Sequence, residues 1–391
     1  MLARTIIFNS FQILGYILSV YSLNIIAKTF GNDNYLDHYW LLFSLIPFCA
    51  FLVYPFRELY LKSVLQDGNY FYVLSIFLVF TAYSMLIIFF LYILHFNILF
   101  DNKLFFSFLF SFILFELVSH FSSALSFQII FPLFKILNSF LIIFLIGYNE
   151  NIDSLILSNI ISYLFVSCIT FYRISLKCNT SFDLNFNHFY LHLKKYFHLF
   201  LAYFNSNLFS QFSNFIFRYS MTFISVGILS SFQYAFTIYG FILAFLVIPS
   251  SNFLWGLLIN NNQLKADFLF RCCLLFLTII SISFVFLSDD LLNLSIYFDI
   301  KLINSDSISY ISLMIFTIPF TFIITYLTRF FTFFENPKII FISSFINSFI
   351  ILIGAFFIYF HKIDIIGYTY FSSNFFAAIY LLFCYKKFRP V

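Results

Sequence analysis

The chain has 391 residues, of which 62% are apolar, 25% aromatic and only 9% charged, with a mean hydropathy of +0.99. That balance excludes a soluble globular domain and a disordered chain, and it implies an all-α polytopic membrane protein. A net charge of +4 gives no reason to expect nucleic acid as a partner, and the 68 phenylalanines fit AT-rich coding better than a function of their own.

Apolar runs separated by short polar punctuation predict twelve spans, near 6–27, 39–56, 71–94, 104–122, 124–147, 154–172, 199–226, 231–256, 268–287, 307–329, 338–360 and 364–384. No cleavable leader is recognised, so the first span is expected to act as its own insertion signal. That span carries Asn9, Gln12, Tyr16 and Ser19 at spacings of three, four and three, which places them on one helical face. In the fourth span Glu116 and His120 stand at i,i+4, and a tight turn is expected at Ser122-Ser123. Lys135 follows about eleven residues into the fifth span, roughly 16 Å along it and near mid-bilayer. Pro132 is expected to kink that helix, and Gln128 shares its face with Lys135. Two readings of Lys135 stand side by side: an ion pair with Glu116 that fastens adjacent helices, or a cation lining a cavity.

The longest connector, Arg173 to His198, lies at the middle of the chain. Its second part mixes Lys194, Lys195 and His198 with Leu and Phe, which predicts an interfacial amphipathic helix over 189–200. His188 and His192 stand at i,i+4 there, but no third ligand is near, so no metal site is expected. The cysteines (Cys49, Cys168, Cys178, Cys272, Cys273, Cys384) form no CxxC pair and read as small buried hydrophobes.

The seventh span holds the sharpest signal. Between Leu199 and Leu264 the one charged residue is Arg218, and Asn207, Gln211, Asn214 and Arg218 follow at spacings of four, three and four. These four share one face in a helix otherwise filled by Phe, Leu and Ile. A polar stripe ending in a guanidinium is costly against lipid and should face protein or a water-filled cavity, although an arginine near a helix end can also snorkel to the interface.

Charge placement orients the chain. With both termini cytoplasmic, fourteen of the twenty basic residues fall in inner segments and four in outer ones, Lys135 and Arg218 being within spans. The halves show weak internal similarity: Ala50-Phe51-Leu52-Val53-Tyr54-Pro55 recurs as Ala244-Phe245-Leu246-Val247-Ile248-Pro249. A parallel repeat of two six-helix lobes is therefore expected, with an N-terminal lobe over 1–172, a cytoplasmic connector over 173–198 and a C-terminal lobe over 199–391.

Several residues carry a family resemblance. The stretch Phe200 to Trp255 has an Asn/Ser/Gln-rich helix, a Gly227-Ile228-Leu229-Ser230 turn, and Tyr234-Ala235 leading to Pro249. The first half has Ala27-Lys28-Thr29-Phe30-Gly31, then Asp37-His38-Tyr39, ending at Pro55. This pattern resembles the MOP superfamily of multidrug, oligosaccharidyl-lipid and polysaccharide exporters, and within it the O-antigen and lipid II flippase branch. Two departures point away from lipid II itself. The branch tends to carry an arginine just after the Tyr-Ala position, where this chain has Phe236, and lipid II flippases usually have two further C-terminal spans.

The resemblance implies a flippase of bacterial inner membranes that moves a polyprenyl-diphosphate-linked oligosaccharide by alternating access, the glycan being an O-antigen, capsule or similar repeat unit. Membrane lipids would surround it, a polysaccharide polymerase and a chain-length regulator would be partners, and no cofactor is expected. A diphosphate is strongly hydrated, and fixed cations can replace part of its water shell. Arg218 and Lys135 are the residues expected to hold it, with Asn207, Gln211, Asn214, Gln12 and Asn9 facing sugar hydroxyls. Asp37 matches the acidic residue that follows the first span in that branch and joins Glu116 and His120 as a coupling or gating residue. The rival transporter reading is a cation-coupled multidrug exporter, which would favour cavity acids. A polymerase or lipid-linked glycosyltransferase would need a large outer loop with catalytic residues, whereas the longest outer loop here has about nineteen residues, Ser288 to Asp306. No Gly-rich ATP-binding loop with a following lysine appears.

Overall fold

A computed structural model describes residues 2–31, 34–49, 102–124, 130–178, 186–259, 263–287, 290, 293, 297, 300, 305–334, 336–360 and 365–388, with many but not all of their side chains. In chain order these form α1 (Leu2–Phe30), α2 (Asn34–Cys49), α3 (Asn102–Ala124), α4 (Ile130–Tyr148), α5 (Ile152–Cys178) and α6 (Phe186–Met221). There follow α7 (Ile228–Ile242), a π turn (Leu243–Val247), α8 (Ile248–Ile259), α9 (Gln263–Phe286), α10 (Ser305–Phe316), α11 (Ile318–Phe333), α12 (Pro337–Tyr359) and α13 (Ile365–Phe388). No strand occurs among the described residues. Six of these stretches are long and apolar enough to cross a bilayer, and the bent pair α10–α11 makes a seventh. The all-α polytopic fold expected from composition is what the chain adopts; the span expected near 71–94 lies outside the described residues.

The packing runs opposite to that of a water-soluble bundle. Phe268, Leu275, Phe276 and Phe286 of α9 point outward, while Ser158, Ser162, Ser213, Ser230 and Ser373 are buried. Hydrocarbon offers no hydrogen bond, so many buried hydroxyls turn back onto their own helices. Ser158 donates to the Leu155 carbonyl at 2.7 Å, Ser162 to Ser158 at 2.7 Å and Ser220 to Phe217 at 2.7 Å. Small side chains then let backbones approach closely, which supplies the dispersion contacts that hold helices together in lipid.

The chain divides into two compact units, one of Met1–Phe30 with Leu42–Phe204 and one of Gly31–Leu41 with Asn205–Val391. In the first, α1 packs on α4, while α5 packs on α3 and α4. In the second, α7 packs on α10 and α13 packs on α10, α11 and α12.

Boundaries depart from the sequence reading at informative places. The interfacial helix expected over 189–200 and the span expected from 199 are one uninterrupted helix, α6, because no Gly or Pro lies between Phe186 and Met221. The kink expected at Pro132 falls beside residues 125–129, which lie outside the described residues. The turn expected at Ser122-Ser123 is helical to Ala124. The span expected over 307–329 is broken: α10 and α11 meet at Thr317 with a 48° bend, because Pro319 cannot continue a helix begun before it.

Gly354 of α12 faces Thr369 of α13, and a methyl placed on it would overlap the threonine methyl and hydroxyl. Gly354→Ala is therefore expected to cost about 1–3 kcal/mol by forcing the helices apart. Thermal unfolding in detergent checks this, with Thr369→Gly in the same chain restoring part of the loss.

Candidate functional site

Arg218 lies in the last turn of α6, with its guanidinium 5.1 Å from the centre of the Phe236 ring of α7. Such stacking is worth more in a desolvated setting than at a wet surface. Phe236 meets Tyr370 of α13 edge-on at 6.1 Å. Tyr370 in turn meets Tyr239 at 5.8 Å and 87°. The Tyr239 hydroxyl reaches Thr317 Oγ1 at 2.8 Å and Thr321 Oγ1 at 2.7 Å. Arg218 is therefore packed inside the second unit against an aromatic wall. The stripe below it is half-buried: Asn207, Gln211 and Asn214 all lie on the partly covered face, and Asn214 donates to the Ser210 carbonyl at 2.8 Å.

The first unit holds the second cation that the sequence singles out. Lys135 of α4 places its ammonium 3.2 Å from the centre of the Tyr16 ring of α1. Gly15 makes this approach possible, since a Cβ there would stand 3.2 Å from the Pro132 carbonyl oxygen and 3.3 Å from Lys135 Cβ. One turn on, Ser19 and Ser139 share a hydrogen bond at 3.3 Å. The face predicted on α1 thus meets α4 through Tyr16 and Ser19. Gln12 is half-buried, and the side chain of Asn9 lies outside the described residues. Beyond Lys135, Asn138 donates to Asn159 Oδ1 at 3.1 Å and accepts from Ser162 at 3.2 Å. Glu116 is half-buried on α3, but among the described residues no carboxylate lies within ion-pair distance of Lys135. The expected Glu116–Lys135 pair is not formed; an aromatic face takes its place. His120 lies on α3, and its side chain lies outside the described residues.

Asp37 occupies the first turn of α2, within the stretch Gly31–Leu41 that belongs to the second unit. Its carboxylate accepts from the Gly227 N–H at 2.7 Å, the Ser230 N–H at 2.8 Å and the Ser230 hydroxyl at 2.5 Å. Those donors open α7, whose start is set by Gly227 at φ 90°, a conformation that other residues adopt at a cost. A helix N-terminus has N–H groups without partners and a partial positive charge, and a carboxylate answers both. Tyr234 adds a bond to the Gly31 carbonyl at 3.2 Å. Burial pushes the Asp37 carboxyl above the usual carboxylate range, against the pull of its donors and of His38.

Sequence reasoning singled out Arg218, Lys135 and Asp37 and placed Tyr16 on a polar face, but missed Tyr239, Tyr370 and the Asn138–Asn159 pair. Asn138 stands three residues after Lys135, a spacing that was available as a signal. Tyr239 and Tyr370 had none in a chain with 27 tyrosines.

Removing the Asp37 carboxylate strands buried N–H groups at the start of α7. Asp37→Ala is expected to lower stability by about 1–3 kcal/mol, and Asp37→Asn, which keeps one acceptor, by less. Thermal unfolding of the purified variants in detergent reads the difference.

No family model and no curated protein matches this sequence at a significant level. Solved structures do match. The chain is similar to the lipid II flippase MurJ in its inward closed conformation, at 16% identity and a TM-score of 0.79, covering 97% of this chain and 87% of that one. It is similar to a MATE transporter in complex with MaL6, at 15% identity and a TM-score of 0.65, covering 96% and 94%. It is also similar to a MOP superfamily transporter from Pyrococcus furiosus, for which reversed polarity of the binding pocket suggests a different function, at 15% identity and a TM-score of 0.62, covering 97% and 95%. Identities this low speak to architecture rather than substrate. Over nearly its whole length, the chain has the fold of the MOP exporter superfamily.

Proposed function

We propose that the chain is a flippase that translocates a polyprenyl-diphosphate-linked oligosaccharide across the bacterial inner membrane by alternating access, with both termini in the cytoplasm. One observation carries the reading: in each unit a cation on an apolar helix, Arg218 or Lys135, is stacked on an aromatic ring. Among the described residues, neither has a carboxylate within ion-pair distance. A cation kept in hydrocarbon without a counter-charge is costly, and an anionic ligand is the partner that offsets the cost. Ring faces hold the cations in place between binding events without neutralising them.

The glycan follows from the polar groups beside these cations. Asn207, Gln211, Asn214, Gln12 and Asn9 offer donors and acceptors suited to sugar hydroxyls. Similarity in fold to a lipid II flippase supports a lipid-linked substrate. The branch arginine expected after Tyr-Ala is Phe236 here, and Arg218 lays its guanidinium over that ring from the neighbouring helix. The charge has changed helix, which favours an O-antigen, capsule or similar repeat unit over lipid II. A polymerase and a chain-length regulator would then receive the flipped unit. Asp37 acts as a gate by holding or releasing the start of α7, and Glu116 and His120 are the remaining groups for ion coupling. A multidrug exporter would be expected to present acids where this chain presents cations.

The double variant Arg218→Ala plus Lys135→Ala tests the assignment. Losing a charged hydrogen-bond donor costs roughly 1.5–3 kcal/mol, about tenfold or more in affinity for each residue. A strain carrying the well-expressed double variant should lose its surface glycan and accumulate lipid-linked intermediates on the cytoplasmic face. Normal surface glycan in that strain would sink the proposal.

A further inference from the structure

Two apolar runs of the second unit are interrupted, and one side chain touches both interruptions. After α7, residues Leu243–Val247 form a π turn before α8 resumes. Between α10 and α11 the 48° bend falls at Thr317. Wide turns of this kind are uncommon and concentrate where helices must change shape. Proline two residues past a bend removes the hydrogen bond that would straighten it.

Tyr239 sits at the edge of the first interruption, its carbonyl accepting from the N–H of Leu243. Its hydroxyl meets Thr317 at the second, and Thr321 one turn beyond. Thr317 Oγ1 also lies 2.6 Å from the Met314 carbonyl, and its own carbonyl accepts from Thr321 N–H at 2.8 Å. The threonine therefore bridges the last turn of α10, the first turn of α11 and the Tyr239 hydroxyl. On its other side, the Tyr239 ring meets Tyr370 edge-on at 5.8 Å, and Tyr370 meets Phe236, the ring on which Arg218 stacks. Arg218, Phe236, Tyr239, Thr317, Thr321 and Tyr370 all belong to the second unit. A run of contacts thus leads from the Arg218 guanidinium over the rings of Phe236 and Tyr370 to Tyr239 and, through its hydroxyl, to the bend at Thr317.

We infer that Tyr239 is a positioning residue that couples occupancy of the Arg218 site to the bend between α10 and α11. An anion that draws the guanidinium away from Phe236 leaves that ring free to reorient, and Tyr370 and Tyr239, which pack edge-on in series behind it, must repack. The Tyr239 hydroxyl then bonds differently to the threonines. With so few polar groups in surrounding hydrocarbon, a hydroxyl that gives up one partner must take another within reach, so the change passes along the run. The identity of the anion rests on the function proposed above; the link from Arg218 to the bend does not.

Hydrogen–deuterium exchange on the full chain in nanodiscs tests this. Tyr239→Phe deletes the hydroxyl and keeps the ring contacts, and Thr317→Val with Thr321→Val deletes the hydroxyls on the other side. Both are expected to raise exchange severalfold in amides 314–321 while leaving the unfolding temperature close to wild type. Arg218→Gln, at the far end of the run, is expected to change exchange in the same amides. Farnesyl diphosphate serves as the probe: in the wild type it should alter exchange at 314–321, and in Tyr239→Phe it should still bind without doing so. Exchange at wild-type rates in the Tyr239 and threonine variants, or no response at 314–321 to Arg218→Gln, would overturn the coupling. Failure of farnesyl diphosphate to bind wild type, with the Arg218→Gln response intact, would overturn the substrate reading and leave the coupling standing.

Discussion

Hydrocarbon solvates neither a guanidinium nor the open end of a helix, and the second unit answers both from within. Asp37 reaches the N–H groups of Gly227 and Ser230 at 2.7 and 2.8 Å and so closes the start of α7. With α7 fixed there, Phe236 lies beneath Arg218 and Tyr239 lies at the bend of α10 and α11. Losing the cap would free the first turn of the helix that carries both. The same rule explains buried serines such as Ser158, Ser162 and Ser220, which bond back onto their own helices, and the phenylalanines turned outward where nothing polar is needed.

Satisfied polar groups and a cation with no carboxylate beside it among the described residues have opposite meanings in such a medium. Asn138 bonds Asn159 and Ser162, and these contacts hold helices together and need no ligand. Lys135 and Arg218 rest on rings, which stabilise a charge without cancelling it. A protein that only needed to fasten its helices would gain more from an acid at Tyr16 or Phe236. The function proposed above therefore rests on these two residues.

Much of this was legible in the sequence, and the remainder was hidden for physical reasons. Arg218 stood out because it was the one charge in a long uncharged run, and the spacing of Asn207, Gln211 and Asn214 placed it on a polar face. The polar stripe on the first span was also visible, but not that Tyr16 and Ser19 would meet Lys135 and Ser139. Pairing between distant helices leaves no mark in one sequence, and 27 tyrosines among 68 phenylalanines bury any signal from a single ring. The break at Thr317 was foretold by Pro319, yet apolar length outweighed it and the run read as one span. Conversely, α6 read as two segments because its lysines resemble an interfacial helix, whereas the absence of Gly and Pro let it run unbroken from Phe186 to Met221.

The central claim is that these cations serve an anionic lipid head group. Reconstituting the purified chain into proteoliposomes with a fluorescent polyprenyl-diphosphate oligosaccharide, and following its loss of accessibility to an external quencher or lectin, tests that claim most directly. The account predicts protein-dependent exchange of the labelled lipid between leaflets, competed by unlabelled polyprenyl diphosphate and indifferent to amphipathic cations. Liposomes in which the labelled lipid stays in its original leaflet while an amphipathic cation is taken up would contradict it.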